Sequence, residues 1–393
     1  MKSSARILAA LALAGCLGPL VAQSALATSQ AAEQPRERLS INDGWRFAKD
    51  DPAGTTTCLL YDVRPELVGF KENQVADAKQ QEAEQLAAGG KAVLKPWILP
   101  TGNAFIADPA KRHIRPAGDP GSDVAYVRAD FDDSSWRRVD LPHDWAIEGP
   151  FIAEGDLAGV GRLPSWGIGW YRKKLAIPAI DAGRRIVLEV DGAMSYSTVW
   201  LNGRLVGGWP YGYSSWQVDL TPYVNFGGVN QLAIRLDNPP ASSRWYPGGG
   251  LYRNVWLTKT APVHVGQWGV QVATREVSSK FAAIDISEMI VNEAKDDVSV
   301  IISGDVFAID AAGQKTGAAV LRFGSTEATI SAGGSINVVA SATLANPKLW
   351  GPPPTQTPHR YVAVTTVTQG DKVVDVYETR FGIRSLRFDP DNG

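Results

Sequence analysis

Alternating apolar and polar positions in the middle of the chain predict a series of short β-strands. Residues 231–236 alternate, with Leu232, Ile234 and Leu236 on one face and mainly polar residues on the other. Asn202-Gly203 separates two β-rich runs, which is the strongest short signal for a hairpin because both turn positions need positive φ. The predicted strands of this region are 185–190, 197–201, 204–206, 231–236 and 254–258. No ordinary helical period interrupts them, so an antiparallel sandwich is expected.

A second group of strands follows a predicted domain boundary near residues 260–262. Aromatic residues become fewer there, and small and β-branched residues dominate. About seven strands in roughly 125 residues is the size of an immunoglobulin-like sandwich, in architecture only, since the cysteine pair of antibody domains is absent. The predicted strands are 269–274, 282–291, 298–309, 328–339, 361–368 and 373–381.

One segment departs from the strand pattern. Residues 71–88 are rich in Gln, Glu and Ala and end at Gly89-Gly90, which predicts a helix with a glycine stop. We interpret residues 51–128 as an insertion lying on the first sandwich, and partial disorder is the alternative.

The chain begins like an exported protein. Lys2 and Arg6 precede an apolar run and the small-residue site Ala25-Leu-Ala27, so we expect residues 1–27 to be a signal peptide with the mature protein starting near Thr28. The alternative is a lipoprotein signal with lipid attached at Cys16. Either implies a periplasmic or extracellular location, and cleavage after Ala27 would leave Cys58 as the one remaining thiol.

Composition narrows the classes of partner and fold. The formal net charge is -2 with both signs interspersed, which offers no basic face for nucleic acid. Only 20% of residues are charged, while 39 Gly, 25 Pro and 13 Trp are typical of an all-β protein with many turns. The four histidines show no metal-ligand spacing, and we expect no cofactor.

Six motifs taken in order are similar to segments of glycoside hydrolase family 2. They cover nearly the whole chain after the predicted signal, apart from the insertion. The second and fifth point to its β-galactosidase branch. The motifs are Asn42-Asp-Gly-Trp-Arg-Phe47, the run from Trp136 to Phe151 with Leu141-Pro-His-Asp-Trp145, Gly167-Ile-Gly-Trp-Tyr-Arg-Lys173, Val199-Trp-Leu-Asn-Gly-Arg204, Ser243-Arg-Trp-Tyr-Pro-Gly248 with Gly250-Leu-Tyr-Arg-Asn-Val-Trp256, and Arg380-Phe-Gly-Ile-Arg384.

The resemblance implies two sandwiches in front of a catalytic barrel. It gives a galactose-binding-like jelly roll at 36–260 and an immunoglobulin-like sandwich at 261–386, with 387–393 as the start of a TIM barrel that the chain lacks. The family hydrolyses β-glycosides with retention through two glutamates of that barrel, so we expect a truncated β-galactosidase with no catalytic residue and no metal ligand in this chain. A β-galactoside substrate, a barrel in the same chain and a homo-oligomeric intact enzyme are the expected partners.

Several chemically suggestive residues have simpler interpretations. Glu293 follows an asparagine, as the acid/base glutamate of the family does, but it is expected in a solvated turn. His143 with Asp144 lacks any nucleophile motif and is expected to make structural hydrogen bonds. Glu148, Glu154 and Asp156 are expected to be structural or solvated. We expect Trp170, Trp200, Trp216 and Trp256 to lie in the core or at an interface.

The predicted substrate-binding residues lie on the segment 237–250. Short polar side chains suit sugar hydroxyls, although capping a turn before Pro239 is an equal alternative for the asparagine. The arginine is expected to act as a buried strut or a substrate contact, and the two aromatic residues to pack or to stack on sugar. These residues are Asp237, Asn238, Arg244, Trp245 and Tyr246.

Two other functions compete with the truncated-enzyme hypothesis. A free-standing carbohydrate-binding protein would have the same jelly roll and would bind sugar without turnover. A cell-surface interaction module built on the second sandwich has only generic support. Among enzymes, β-glucuronidase and β-mannosidase share these front domains, so the identity of the sugar is a weaker prediction than the family.

Overall fold

A computed structural model gives the fold of the chain and describes residues 35–55, 57, 59–61, 93–152, 162–239 and 245–391. The predicted helix at 71–88 and Cys58 lie outside the described residues. Most of the described residues that have regular structure lie in strands. The described residues also contain one short helix, α1 (Lys95–Ile98), and 3₁₀ turns at Leu99–Phe105, Pro109–Lys111, Ala125–Val127, Ala179–Asp181 and Thr221–Tyr223. The strands are β1 (Glu37–Ser40), β2 (Trp45–Lys49), β3 (Arg137–Val139), β4 (Gly167–Ile177), β5 (Arg185–Val190), β6 (Ser197–Leu201), β7 (Arg204–Trp209), β8 (Trp216–Asp219), β9 (Gly228–Asn238), β10 (Val255–Thr260), β11 (Val263–Arg275), β12 (Phe281–Asn292), β13 (Val298–Ile309), β14 (Lys315–Arg322), β15 (Thr326–Ile330), β16 (Ser335–Ala345), β17 (Arg360–Gln369) and β18 (Lys372–Phe381).

The first sandwich consists of two antiparallel sheets. One has the order β1-β10-β5-β8 and the other the order β3-β2-β4-β9-β6-β7. Their facing sides bury one core, in which Trp45 and Trp216 are almost fully enclosed. The hairpin predicted at Asn202-Gly203 is confirmed, with φ of 54° and 78° at the two turn residues and β6 paired with β7.

The outer face of the six-stranded sheet is buried as well, under residues from the predicted insertion. Leu59, Tyr61, Leu94, Ile98, Val124 and Val127 pack on Trp170, Trp200, Leu205 and Ala233. Hydrogen bonds fix this layer, including Tyr61 Oη to the Ser197 carbonyl at 2.7 Å and Trp200 Nε1 to the Pro120 carbonyl at 2.9 Å. Residues 59–61, 94–98 and 124–127 of the insertion therefore form a packed third layer, whereas residues 107–114 are exposed.

Strand β9 is buried on both faces, so the side chains that point away from the first core are also shielded from solvent. Gln231, Ala233 and Arg235 alternate with the core residues yet are all at most 3% exposed. Of the four tryptophans predicted to be in the core, Trp170, Trp200 and Trp216 are confirmed. Trp256 is only partly buried, and the Arg38 guanidinium lies 3.9 Å from its ring centre.

The second sandwich contains eight strands with its own core. One sheet has the order β11-β12-β16, and the other has β14-β13-β17-β18, with β15 also paired to β13. The predicted strand 328–339 is wrong as a single element, because a turn after Ile330 divides it into β15 and β16. Strand β14 was not predicted. Its residues are mostly exposed, so it lacks the apolar alternation on which the prediction relied.

Ion pairs between described residues join the sandwiches. Arg36, just before β1, forms a two-point pair with the wholly buried Asp375 of β18, at 2.9 and 2.8 Å. Asp375 also accepts the backbone N–H of Val265 at 2.7 Å. Arg185 of the first sandwich binds Glu293 of the second at 2.6 Å. Among the described helices, none is long and apolar enough to cross a bilayer.

Candidate functional site

The predicted sugar-binding segment begins where β9 ends, and its first two residues are buried. The Asn238 amide donates to the Ser165 carbonyl at 2.7 Å and to the Gly248 carbonyl at 2.9 Å. Ser195 donates to the other side of the same amide group at 3.4 Å. Asn238 thus connects three loop segments, which resembles the turn-capping alternative more than an exposed sugar ligand.

Asp237 belongs to a buried charged network beneath that segment. Its carboxylate lies 3.6 Å from Arg235, whose guanidinium makes a two-point pair with Asp51 at 2.9 and 2.8 Å. Trp170 Nε1 also donates to Asp51, at 2.8 Å. Burial by itself would raise the pKa of the Asp51 carboxyl, but the hydrogen bonds and charge of Arg235 and the bond from Trp170 lower it overall.

Asp144, in the motif Leu141-Pro-His-Asp-Trp145, holds the C-terminal end of the segment 237–250. One Asp144 oxygen accepts the backbone N–H groups of Ala146 and Gly249 at 2.9 and 3.0 Å. The other accepts the Tyr246 hydroxyl at 2.7 Å. Burial and this hydrogen bond raise the pKa of the Tyr246 hydroxyl, so the phenol keeps the proton that it donates to Asp144.

Three consecutive glycines allow the segment to approach its neighbours this closely. A Cβ on Gly249 would lie 2.7 Å from the Trp145 ring and 2.8 Å from the Ser165 carbonyl. Gly250 has a φ of +122°, and a Cβ there would collide with the His143 carbonyl. We call residues 246–251, held between Asp144 and Met194, the pinned loop; Met194 and Gly250 exchange backbone hydrogen bonds at 2.9 and 3.2 Å.

The predicted aromatic residues differ in their positions. Tyr246 is half-buried and packs against the first core, whereas Trp245 is 56% exposed. Trp245 Nε1 donates to the Tyr213 hydroxyl at 2.8 Å, and Tyr211 lies edge-on to Tyr213 with 5.6 Å between ring centres. Arg244 lies outside the described residues, so its predicted role as strut or substrate contact stays a prediction.

Sequence reasoning missed Tyr211 and Tyr213. They stand in Pro210-Tyr-Gly-Tyr-Ser214, a turn between β7 and β8 without apolar periodicity. Two aromatic residues flanking a glycine in a turn were the available signal, because such residues have no sheet face into which they could pack.

His143 makes structural hydrogen bonds, as predicted. The Arg137 guanidinium lies 2.7 Å and a Glu148 oxygen 3.5 Å from its Nε2, while its Nδ1 lies 2.7 Å from the Tyr171 hydroxyl. Since arginine only donates, the short contact with Arg137 favours a neutral ring with the proton on Nδ1. Burial lowers the pKa of the imidazole, with the neighbouring Arg137 acting in the same direction against Glu148. No acid/base pair with Asp144 is formed by these contacts, since Asp144 binds the pinned loop.

A retaining glycosidase needs two carboxyl groups about 5 Å apart that face the substrate across a cleft, whereas the glutamates singled out from the sequence and described by the structure are held by protein partners. Glu293 lies in an exposed turn after β12, as predicted, with its side chain 41% exposed, and Arg185 binds both it and Asp219, at 2.6 and 2.7 Å. Glu288 is buried inside the second sandwich and accepts the Thr365 hydroxyl at 2.6 Å. Glu148 binds Arg137, whereas Glu154 and Asp156 lie outside the described residues. Across the part of the chain that the structure describes, no group of three His, Cys, Asp or Glu residues is placed to hold a metal ion.

Comparison with known families matches both sandwiches. A family model described as "Glycosyl hydrolase 2 galactose-binding domain-like" matches residues 139–271, and one described as "Glycosyl hydrolases family 2" matches residues 263–384. Asp144 and the pinned loop therefore lie within the first match.

Curated relatives and solved structures extend this result. The chain is 40% identical over 275 residues to the β-galactosidase BoGH2A of Bacteroides ovatus, covering 70% of the chain and 31% of that protein. It is 30% identical over 269 residues to a putative β-glucuronidase of Formosa agariphila, covering 68% and 24%. A glycosyl hydrolase family 2 structure from Bacteroides cellulosilyticus superposes with a TM-score of 0.64 at 25% identity, covering 91% of the chain and 36% of that structure. The chain thus spans a quarter to a third of the length of these two curated relatives.

Proposed function

Because the chain belongs to glycoside hydrolase family 2, we propose that it supplies the non-catalytic front domains of a β-galactosidase. In this role the first sandwich presents the pinned loop to the substrate, and both sandwiches brace a catalytic barrel of the same enzyme. The observation that carries the proposal is that the pinned loop and Asp144, its rigid support, fall together inside the galactose-binding-like match. A loop held by backbone hydrogen bonds and obligatory glycines is suited to positioning a ligand without reordering.

The preference for galactosides is supported by the 40% identity to a β-galactosidase, against 30% for the putative β-glucuronidase. Selection among sugar epimers depends on hydroxyl contacts at the catalytic centre, so β-glucuronidase is the second candidate, and β-mannosidase remains an alternative from the sequence. The described carboxylates support a non-catalytic role, because those with raised pKa values, Glu288 and Glu293, bind a hydroxyl and an arginine.

A chimera tests the proposal directly. The segment of the Bacteroides ovatus enzyme that matches this chain is replaced by the corresponding residues of this chain, and turnover of chromogenic β-galactoside and β-glucuronide is measured. We expect β-galactoside turnover by the chimera, less by the Bacteroides ovatus barrel without a front segment, and none by the chain alone. A folded chimera no faster than that barrel would refute the supporting role, and turnover by the chain alone would refute the non-catalytic role.

We also propose export, on the basis of the N-terminal sequence. The test is N-terminal sequencing of the protein from the periplasm or the medium of an exporting bacterium, where we expect a mature start near Thr28. A protein recovered in the membrane fraction with lipid on Cys16 would replace this proposal by the lipoprotein alternative.

A further inference from the structure

Three exposed aromatic side chains form one surface next to the pinned loop. Tyr211, Tyr213 and Trp245 are 59%, 41% and 56% exposed, and we call them the aromatic platform. The ring centres of Tyr211 and Tyr213 are 5.6 Å apart, and those of Tyr213 and Trp245 are 6.4 Å apart. Isolated exposed aromatics are ordinary, but a contiguous group beside a candidate site indicates binding.

The platform is held rigidly from below. A Cβ on Gly212, between the two tyrosines, would lie 2.7 Å from the Met194 methyl group, so the turn rests directly on that side chain. The Tyr252 hydroxyl donates to the Gly212 carbonyl at 2.8 Å. Across the turn, Trp209 Nε1 donates to Ser214 at 2.9 Å. The turn that carries the two tyrosines is therefore fixed by the protein itself, and the Trp245–Tyr213 hydrogen bond links the third ring to it, which reduces the entropy lost on binding.

The chemistry of the platform suits a sugar better than an apolar partner. Tyrosine and tryptophan combine a flat apolar face with a polar edge, and a pyranose likewise has an apolar C–H face and a rim of hydroxyls. The Tyr213 oxygen accepts the Trp245 N–H, which leaves the hydroxyl proton of Tyr213 to donate to an acceptor. A second exposed pair, Phe105 and Trp268, stacks with 6.3 Å between ring centres, but its phenylalanine has no hydrogen-bonding group.

We propose that the aromatic platform is a saccharide-binding surface that binds a galactose-containing oligosaccharide through ring stacking, without help from a catalytic domain. The inference rests on the proposed function for the choice of galactose, and on the geometry of Tyr211, Tyr213 and Trp245 for the existence of the surface. Such a surface would keep the enzyme on a longer galactoside chain while one end is processed.

The test is calorimetric titration of the full chain with β-1,4-galactotetraose, with cellotetraose as a comparison sugar. The variants are Trp245→Ala, Tyr211→Ala and the conservative Trp245→Phe. The matched control is Trp268→Ala, which removes a tryptophan of similar exposure, 52%, from the other pair. Near-ultraviolet circular dichroism verifies that each variant is folded, as expected for side chains that are more than 40% exposed.

We expect galactotetraose to bind, Trp245→Ala and Tyr211→Ala each to weaken binding at least about tenfold, and Trp245→Phe to retain part of the affinity. Trp268→Ala should stay within about twofold of the unaltered chain. The proposal is overturned if the full chain does not bind galactotetraose, if cellotetraose binds more tightly, or if Trp268→Ala weakens binding as much as Trp245→Ala.

The two proposals can fail separately. An active chimera together with a chain that does not bind galactotetraose would remove the platform and leave the proposed function. An inactive chimera together with platform-dependent binding would leave a carbohydrate-binding module.

Discussion

Replacing Asp51 by asparagine is expected to destabilise the first sandwich through Arg235. The Arg235 side chain is 4% exposed, and its two-point pair with Asp51 is its shortest contact with a negative charge. Asparagine has the same shape and keeps one oxygen, but it loses the charge and turns an N–H₂ group toward one guanidinium donor. The buried cation would then depend on Asp237, 3.6 Å away.

The size of the effect follows from the burial of the arginine. Removing one partner from a buried ion pair costs about 3–5 kcal/mol, because the other charge is left uncompensated in a poorly solvated site. Asp237 remains and the Asp51 side chain is 30% exposed, so we expect the lower end, about 3 kcal/mol.

The assay is equilibrium unfolding in urea followed by circular dichroism, with the midpoint and slope fitted separately. The matched control is Asp130→Asn. It removes the same kind of two-point pair, to Arg128 at 3.0 and 2.7 Å, where both side chains are more than half exposed. We expect no measurable loss for the control, because solvent screens an exposed pair. Equal losses in the two variants would refute the reasoning.

A pH series gives an independent readout of the same pair. The pKa of Asp51 is lowered in the folded state, so its contribution is complete above the unfolded value of about 3.9 and is lost as the pH falls below that value. The original chain should therefore lose more stability than Asp51→Asn on acidification. Parallel pH profiles would contradict the assignment.

Three further predictions concern other parts of the fold. Gly250→Ala should lower the free energy of unfolding by about 2–4 kcal/mol, because the added Cβ collides with the backbone and positive φ strains the alanine. The control is Gly118→Ala, with φ of +100° and open space around it, which should lose only the free energy of that strain. Equal losses of stability in urea unfolding would contradict this explanation. Arg36→Met should lower the free energy of unfolding by about 3 kcal/mol, because it leaves the buried Asp375 without its cation. Adding Asp375→Asn to this variant should restore part of that stability. Additive losses in the double variant, measured by thermal unfolding, would oppose the pairing. Burial raises the pKa of Glu288, so the stability of the protein should decline as the pH rises from about 4.3 through the folded-state pKa. Glu288→Gln should abolish this decline and be more stable than the original chain at pH 8. A pH-dependent decline that is unchanged in the variant would exclude Glu288 as its source.

Local sequence predicted those parts of the fold whose signals are local. Strands β5 and β6 have the predicted bounds, because alternation and the Asn202-Gly203 turn are encoded within a few residues. The collinear motifs gave the order of the two sandwiches, which both family matches confirm.

Most of the features that the local pattern does not show depend on contacts between distant segments. Distant segments cover the outward residues of β9: Ala233 lies in the same buried cluster as Leu59, Tyr61, Leu94 and Val127, and Arg235 meets an aspartate 184 positions earlier. Strand β14 follows its partner β13 and was invisible for lack of an apolar face. At the site, Trp245 was anticipated from its motif, whereas its partner Tyr213 was not, because the hydrogen bond between them joins two loops 32 residues apart.

The pair between Arg36 and Asp375 has a consequence for biosynthesis. These residues are 339 positions apart, so at about 5–20 residues per second the arginine is made roughly 20–70 seconds before the aspartate that receives it. The first sandwich can fold during that interval, but the ion pair that joins it to the second sandwich can form only after β18 has been synthesised. The first sandwich therefore folds before it can contact the second. A translational pause near the 3′ end of the mRNA would prolong the time during which the surface between the two sandwiches is exposed.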